Sequence, residues 1–299
     1  MKHRDEPSAV EGRLIQARYE VLSSVWGNVP KLYNHAVLAQ LSLPLRSQPG
    51  RRFFSRTSGK CSLQLEAGSL PERDGSWVEV ELPAGPKARL LLLHICSLAI
   101  KRQSPIVEVG DSFSGFVRQL GFDTSGRNLR TFREQTRRMS CVNIRLAKNY
   151  GQFVDVFQGP IFSKLRASWS LAPGQRLLWP DAVELSPEFY ESLRNNAVPL
   201  RQEAISALRH SARALDIYSW LAHRLWRVKK PTRIGWFALQ EQFGHRNHRR
   251  KTFQRAFKAA LFQVKMVYPD AQVELGEKGG LIIRNSRPPV PFKTPAALL

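Results

Sequence analysis

The chain has 299 residues, room for two compact domains at the usual ~150 residues each. Lys and Arg number 46 against 24 Asp and Glu, a formal charge of +22 that folding alone does not require and that implies a polyanionic partner. No apolar run approaches the ~20 residues of a membrane span, and neither a lipidation signal nor a signal-peptide core opens MKHRDEPSAV, so a cytoplasmic protein is expected.

In chain order, Leu14, Ile15, Tyr19, Leu22 and Trp26 recur at helical spacing and predict a short amphipathic helix. CSLQLEAG and SWVEVEL alternate apolar and polar residues around PERDG, which predicts two strands joined by a turn. Helix and strand pair make up an N-terminal extension over 1–84. Cys61, Cys96 and Cys141 lack paired spacing and read as reduced thiols.

A first unit, 85–175, opens at Gly85 and Pro86 with an apolar helix to 102, in which LLLLHICSLAI fits either a core or an interface. A strand at 106–109 follows, then a helix capped by Ser112 and closed by Gly121. After DTSG, a strongly basic helix covers 127–139, and strands at 142–147 and 152–157 flank KNYG. The segment 163–175, rich in Ser and Gly and containing Pro173, reads as a linker.

The second unit, 176–299, enters through a strand at 177–185. Ser186, Pro187 and Glu188 supply an N-cap, an N1 proline and an acid at the positive end of a helix. A longer helix covers 212–228, stopped by Lys229, Lys230 and Pro231. A helix from Trp236 ends at Phe243 and Gly244, HRNHRRKTFQRAFK lies on the next helix, and VELGEKGGLIIR reads as a hairpin. The same order of elements thus occurs twice, and Leu120, Gly121 ahead of Arg130, Thr131, Phe132 parallels Phe243, Gly244 ahead of Lys251, Thr252, Phe253. The expected fold is α+β, two tandem winged helix-turn-helix units with a small N-terminal β extension.

On a helix of about 3.6 residues per turn, Phe253, Phe257, Ala260 and Val264 form one stripe, with Lys251, Arg255 and Lys258 roughly opposite. Asn247 and His248 occupy the first turn, the end that a helix-turn-helix presents to base edges, and Asn247 and Gln254 carry amides able to pair with adenine. Arg250 projects nearer the buried stripe. In the first unit Leu129, Phe132 and Met139 point inward, leaving Arg130, Arg133 and Arg137 outward with Arg127 and Arg138 at the flanks. Arginine offers a planar fork to guanine, and either cation neutralises a phosphate. A single basic run is usually a solvated face; two runs in the same structural context point to double-stranded DNA. Lys148 and Lys278 on the hairpins, with Arg145, Asn149 and Arg284, are placed to reach phosphates. Arg51, Arg52, Arg56 and Lys60, interleaved with Phe53 and Phe54, fit either single-strand contact or a strand edge with buried aromatics.

Catalytic patterns are missing, which points to a binding protein without catalytic residues, metal ligands or cofactor. No two of the seven histidines have His-apolar-His spacing, and His245 and His248 lack a Cys or acidic cluster to complete a metal site. Ser58, Gly59 and Lys60 superficially resemble a phosphate loop, but Phe54 stands at the required earlier glycine and Cys61 replaces the Ser or Thr. Asp181, Asp216 and Asp270 read as isolated turn, helix or cap acids.

The segment PDAVELSPEFYESLRNNAVPLRQEAISALRHSARALDIYSWLAHRL resembles the signature of plasmid-encoded RepA replication initiators. HAVLAQLSLP, FFSRTSGKCSLQLEAG, GPKARLLLLHI, VEVGDSFSGFVRQLG and FREQTRRM agree in order, so the resemblance extends over 35–285. It implies a theta-type initiator that binds repeated sequences at a plasmid origin, helps open an adjacent AT-rich segment and recruits the host DnaA and replicative helicase. It also implies exchange between a homodimer that represses its own synthesis and an origin-bound monomer. A transcriptional repressor built on the same units is the alternative reading, and a basic RNA-binding or architectural protein a third.

Overall fold

Ser8 and Glu11 form a reciprocal capping box that starts α1 (Ala9–Ser23) in the computed structural model, which describes residues 8–24, 29–72, 74–108, 113–169, 177–244, 249–277 and 279–291. Leu14 and Ala17 are buried, whereas Ile15, Tyr19 and Leu22 face solvent; Trp26 lies outside the described residues. There follow β1 (Lys31–His35), α2 (Ala36–Gln40), β2 (Phe53–Ser58), β3 (Cys61–Glu66), β4 (Ser69–Pro71) and β5 (Trp77–Glu79). A turn does form where expected, the Gly75 amide donating to the Glu72 carbonyl, but it joins β4 to β5, while β3 pairs with β2; Arg73 lies outside the described residues.

Gly85 opens α3 (Gly85–Arg102), whose Leu90, Leu91, Leu92, Leu93, Ile95 and Cys96 are all buried, so LLLLHICSLAI belongs to the core. Next come β6 (Ile106–Glu108), α4 (Phe113–Gln119), α5 (Gly126–Ser140), β7 (Asn143–Asn149), β8 (Val154–Pro160), β9 (Phe162–Trp169) and β10 (Leu177–Leu185). The β7–β8 hairpin, expected to close the first unit, instead extends the N-terminal strands into a sheet of order β2-β3-β7-β8. Leu63 opposite Leu146, and Leu65 opposite Ile144, put four buried side chains on its inner face. The start of the segment read as a linker is β9, where Leu165, Ala167 and Trp169 recur at strand spacing within a polar composition. β10, assigned to the second unit, pairs with β9 and β6 in a sheet of order β6-β10-β9.

α6 (Pro187–Asn195) starts where expected, but the Ser186 hydroxyl donates to the Pro160 carbonyl at 2.8 Å and does not cap the helix. β11 (Ala197–Arg201), α7 (Gln202–Leu208), α8 (Ala212–Arg224) and a 3-10 turn, Leu225–Arg227, lead to β12 (Thr232–Ile234), α9 (Trp236–Phe243), α10 (Arg250–Val267), β13 (Val273–Leu275) and β14 (Leu281–Ile283). The last sheet has order β12-β14-β13. It matches β6-β10-β9 strand for strand, because in both the strand ahead of a helix pair lies beside the second strand of the hairpin that follows. The chain is therefore α+β, with one arrangement built twice and β7–β8 inserted into its first copy. No helix among the described residues is long and apolar enough to cross a membrane.

One continuous core links the two copies. β1 and β11 form an antiparallel ribbon under α3, and α1 packs on α7 and α10. At the contact between α3 and α8, Arg89 Nε and Nη2 donate to Asp216 Oδ1 and Oδ2 at 2.6 and 2.8 Å. The same guanidinium donates to the carbonyls of Leu43, Pro44 and Gly85, and both side chains are buried. Burial raises the Asp216 carboxyl above its ordinary pKa, a shift that the Arg89 charge opposes. Removing one partner strands the other charge. Asp216→Ala is expected to lower unfolding free energy by about 3 to 5 kcal/mol in denaturant titration; a loss under ~1 kcal/mol would show that the pair does not brace the two copies.

Candidate nucleic-acid interface

In the first copy, Gly121 takes φ +78°, the left-handed conformation that ends α4 and that glycine adopts without strain. Phe122 then meets Phe132 of α5 edge to face at 5.2 Å. Lys87 Nζ sits over both rings and donates to Asn128 Oδ1 at 2.6 Å, tying α3 to the start of α5. The Ser125 hydroxyl, and next the Ser125 amide, donate to the Asp123 carboxylate and hold its pKa down at about 2. The Ser125 side chain does not cap α5, and its first turn contains no acid. Phe132, Gln135, Thr136 and Met139 are buried, Leu129 half-buried, and Arg127, Arg130 and Arg133 exposed along the opposite face.

Arg137 and Arg138 do not join that face. Arg137 pairs with Glu72 and Glu134, Arg138 with Glu81 and Glu134, and Arg138 also donates to Ser47 and the Leu82 carbonyl. These bonds fasten the end of α5 to the β4–β5 region.

In the second copy, Trp236, Phe253 and Phe257 pack edge to face, at 6.3 Å for Trp236 to Phe253 and 5.8 Å for Trp236 to Phe257. Gly244 is extended, with φ −83°, unlike its counterpart Gly121. What it needs is space, since a Cβ there would collide with the Gln240 carbonyl oxygen. Arg56 fixes the same turn by donating to Gly244 O at 2.7 Å and to Gln242 O, its positive charge lying at the negative end of α9. Burial lowers the pKa of Arg56 to about 10. Its role is thus structural, as is that of Phe54, which is buried; Arg52 pairs with Glu79.

Lys251, Arg255 and Lys258 are exposed on α10 opposite the buried Phe253, Phe257, Ala260 and Val264, and Gln254 is half-buried beside them. Lys258 Nζ lies 5.9 Å from the centre of the Trp236 ring. Asn247, His248 and Lys278 lie outside the described residues. Arg250, which the helical wheel set nearer the buried stripe, is exposed at the start of α10, as is Arg249 beside it. Like α5, α10 has no side-chain cap and no acid in its first turn. Lys148 sits apart on β7, over the Tyr150 ring at 4.8 Å. Arg145 pairs with Glu66 and Arg284 with Glu274.

Each copy thus offers an exposed cationic face on the second helix of a pair, the build of an α+β protein with paired basic helices. Residues 82–237 match the family of plasmid-encoded RepA proteins. That is more than half of the chain, which belongs to this replication-initiator family. No curated protein matches the chain. The fold is shared with a crystal structure of selenomethionine derivatives of domains 2 and 3 of RctB, at TM-score 0.53 and 12% identity over 84% of this chain and 96% of that one. A second crystal structure of RctB domains 2–3 aligns at TM-score 0.49 and 12% identity, over 83% of this chain and 94% of that one.

The two classes of arginine on α5 separate by stability. Arg138→Ala should lower unfolding free energy by about 1 to 2 kcal/mol through its lost ion pairs and carbonyl bond. Arg130→Ala, on the exposed face, should change it by less than ~0.5 kcal/mol. Equal losses in denaturant titration would contradict the sorting.

Proposed function

We propose that the chain is a plasmid replication initiator that reads repeated duplex sequences at the origin through two winged helix-turn-helix units. The first comprises α3, β6, α4, α5 and the β9–β10 wing; the second comprises α8, β12, α9, α10 and the β13–β14 wing. One observation carries this reading: α5 and α10 both begin without a side-chain cap or a first-turn acid and carry exposed cations along the outward face. Such a helix start presents free amide N–H groups and a positive dipole end to phosphate, while Arg and Lys one or two turns further along reach base edges or the backbone. The protein acts in the cytoplasm by binding and not by catalysis. Origin opening next to an AT-rich segment, recruitment of the host DnaA and helicase, and a homodimeric form extend the proposal by family membership. A repressor has the same binding chemistry, so the deciding experiment is replication of an origin plasmid lacking its own initiator gene, with the chain supplied in trans. Footprinting on that origin should show protected direct repeats.

Arg255→Ala should weaken the origin duplex by about 1 to 3 kcal/mol and relax preference at one base pair if it contacts a base. Unchanged affinity in a folded variant removes Arg255 from the interface. With both units engaged on one duplex through about 6 to 10 phosphates, log affinity should fall against log salt with slope about −5 to −9. A slope near −2 means that only one unit binds.

A further inference from the structure

A third cationic surface lies at the end of α8. Arg224, Arg227 and Lys229 are exposed and line a cleft of about 340 Å³, and none of the described residues lining it is acidic. Arg227 lies over the Trp226 ring at 4.1 Å and donates to the His223 carbonyl at 2.5 Å, which orients its guanidinium. Gln40 of α2 lines the same cleft, and α2 packs against β7, the strand that leads into the hairpin tip. Besides burial, the charges of Arg227, Lys148 and Arg224 hold His223 down at about 3, which places Lys148 of β7 in the same electrostatic neighbourhood. Asp155 is the cross-strand neighbour of Lys148, yet the ammonium lies over Tyr150.

The hairpin tip is aromatic and uncovered. Tyr150 and Phe153 stack at 4.8 Å with 20° between their planes and are 39% and 59% exposed. Phosphates of a duplex would account for the cations and leave the rings unexplained, because bases in a duplex already stack on one another. Unpaired bases offer free faces to aromatic side chains while their backbone follows a basic groove.

We propose that the hairpin tip and the α8 cleft form a track for single-stranded DNA, separate from the duplex-reading helices. Tyr150 and Phe153 stack on unpaired bases, and Arg224, Arg227 and Lys229 neutralise the adjoining phosphates. The inference rests on the DNA-binding reading above and adds a second substrate form and a second surface.

Fluorescence anisotropy of the full chain with labelled (dT)20, and separately with a duplex spanning the origin repeats, tests it. The unaltered chain should bind both. Tyr150→Ala with Phe153→Ala, and independently Arg224→Ala with Lys229→Ala, should each weaken (dT)20 at least about tenfold and leave the duplex within about twofold, given the cost of losing a base stack or a phosphate contact. Arg255→Ala should do the reverse. Both pairs are solvent-exposed, and an unchanged melting temperature checks that the variants fold. Unaltered (dT)20 binding by both variants, or parallel loss of both ligands, overturns the track. Duplex binding without (dT)20 binding by the parent chain overturns this inference alone; binding to neither overturns the DNA-binding reading as well.

Discussion

The buried pair of Arg89 and Asp216 joins the leading helix of one structural copy to that of the other. Its geometry is two-pronged, with every Arg89 nitrogen donating to a carboxylate or carbonyl oxygen. Desolvating two charges is costly, and attraction offsets that cost only when the remaining donors are also satisfied. The carbonyls of Leu43, Pro44 and Gly85 meet that condition, so the ion pair, the segment after α2 and the start of α3 depend on one another. A shift of α8 against α3 would break several bonds at once. The relative placement of the two basic helices follows, since α5 packs on α3 and α10 on α8.

A similar logic governs the two helix turns, with different parts. The second turn is held by Arg56, delivered from β2 onto the carbonyl end of α9, and by Gln242, whose side chain donates to the Gln40 carbonyl. The first is held by the end of α7, where Arg209 lies over the Phe122 ring and Ser206 closes on Gly121. Elements outside each copy therefore brace the end of the helix that precedes its basic helix. The N-terminal strands are a brace in this sense: Arg56 of β2 faces inward, and Arg52, just ahead of β2, pairs with Glu79.

Much of this was legible from residue spacing. The helices α3, α5, α8 and α10 carry apolar stripes over three to five turns, so local periodicity determines them. The parallel between Phe132 and Phe253 also holds, since both are fully buried at the same place in each copy. Which hairpin closes the first unit was not legible, because β7–β8 and β9–β10 both follow the basic helix and only long-range pairing with β3 or β6 distinguishes them. Polar composition hid β9 despite its alternation. Asp216 read as an isolated helix acid because its partner is 127 residues away, and Arg137 resembled Arg130 until Glu72 arrived from 65 residues upstream.

What sorts the arginines is the reach of an acid rather than basicity. Arg137 and Arg138 end α5 among Glu72, Glu81 and Glu134, whereas Arg249 through Lys258 of α10 run through a stretch with no acid. Lys251 and Arg255 stand four residues apart and Arg255 and Lys258 three, spacings at which like charges destabilise a helix by about 0.2 to 0.5 kcal/mol per pair. Cations in the first turn also oppose the helix dipole. The buried Phe253, Phe257 and Val264 offset that repulsion through packing, and among the described residues no ion pair neutralises the cationic face. Under the proposed function, a phosphate backbone would remove this repulsion on contact, and the relief would add to the driving force for binding.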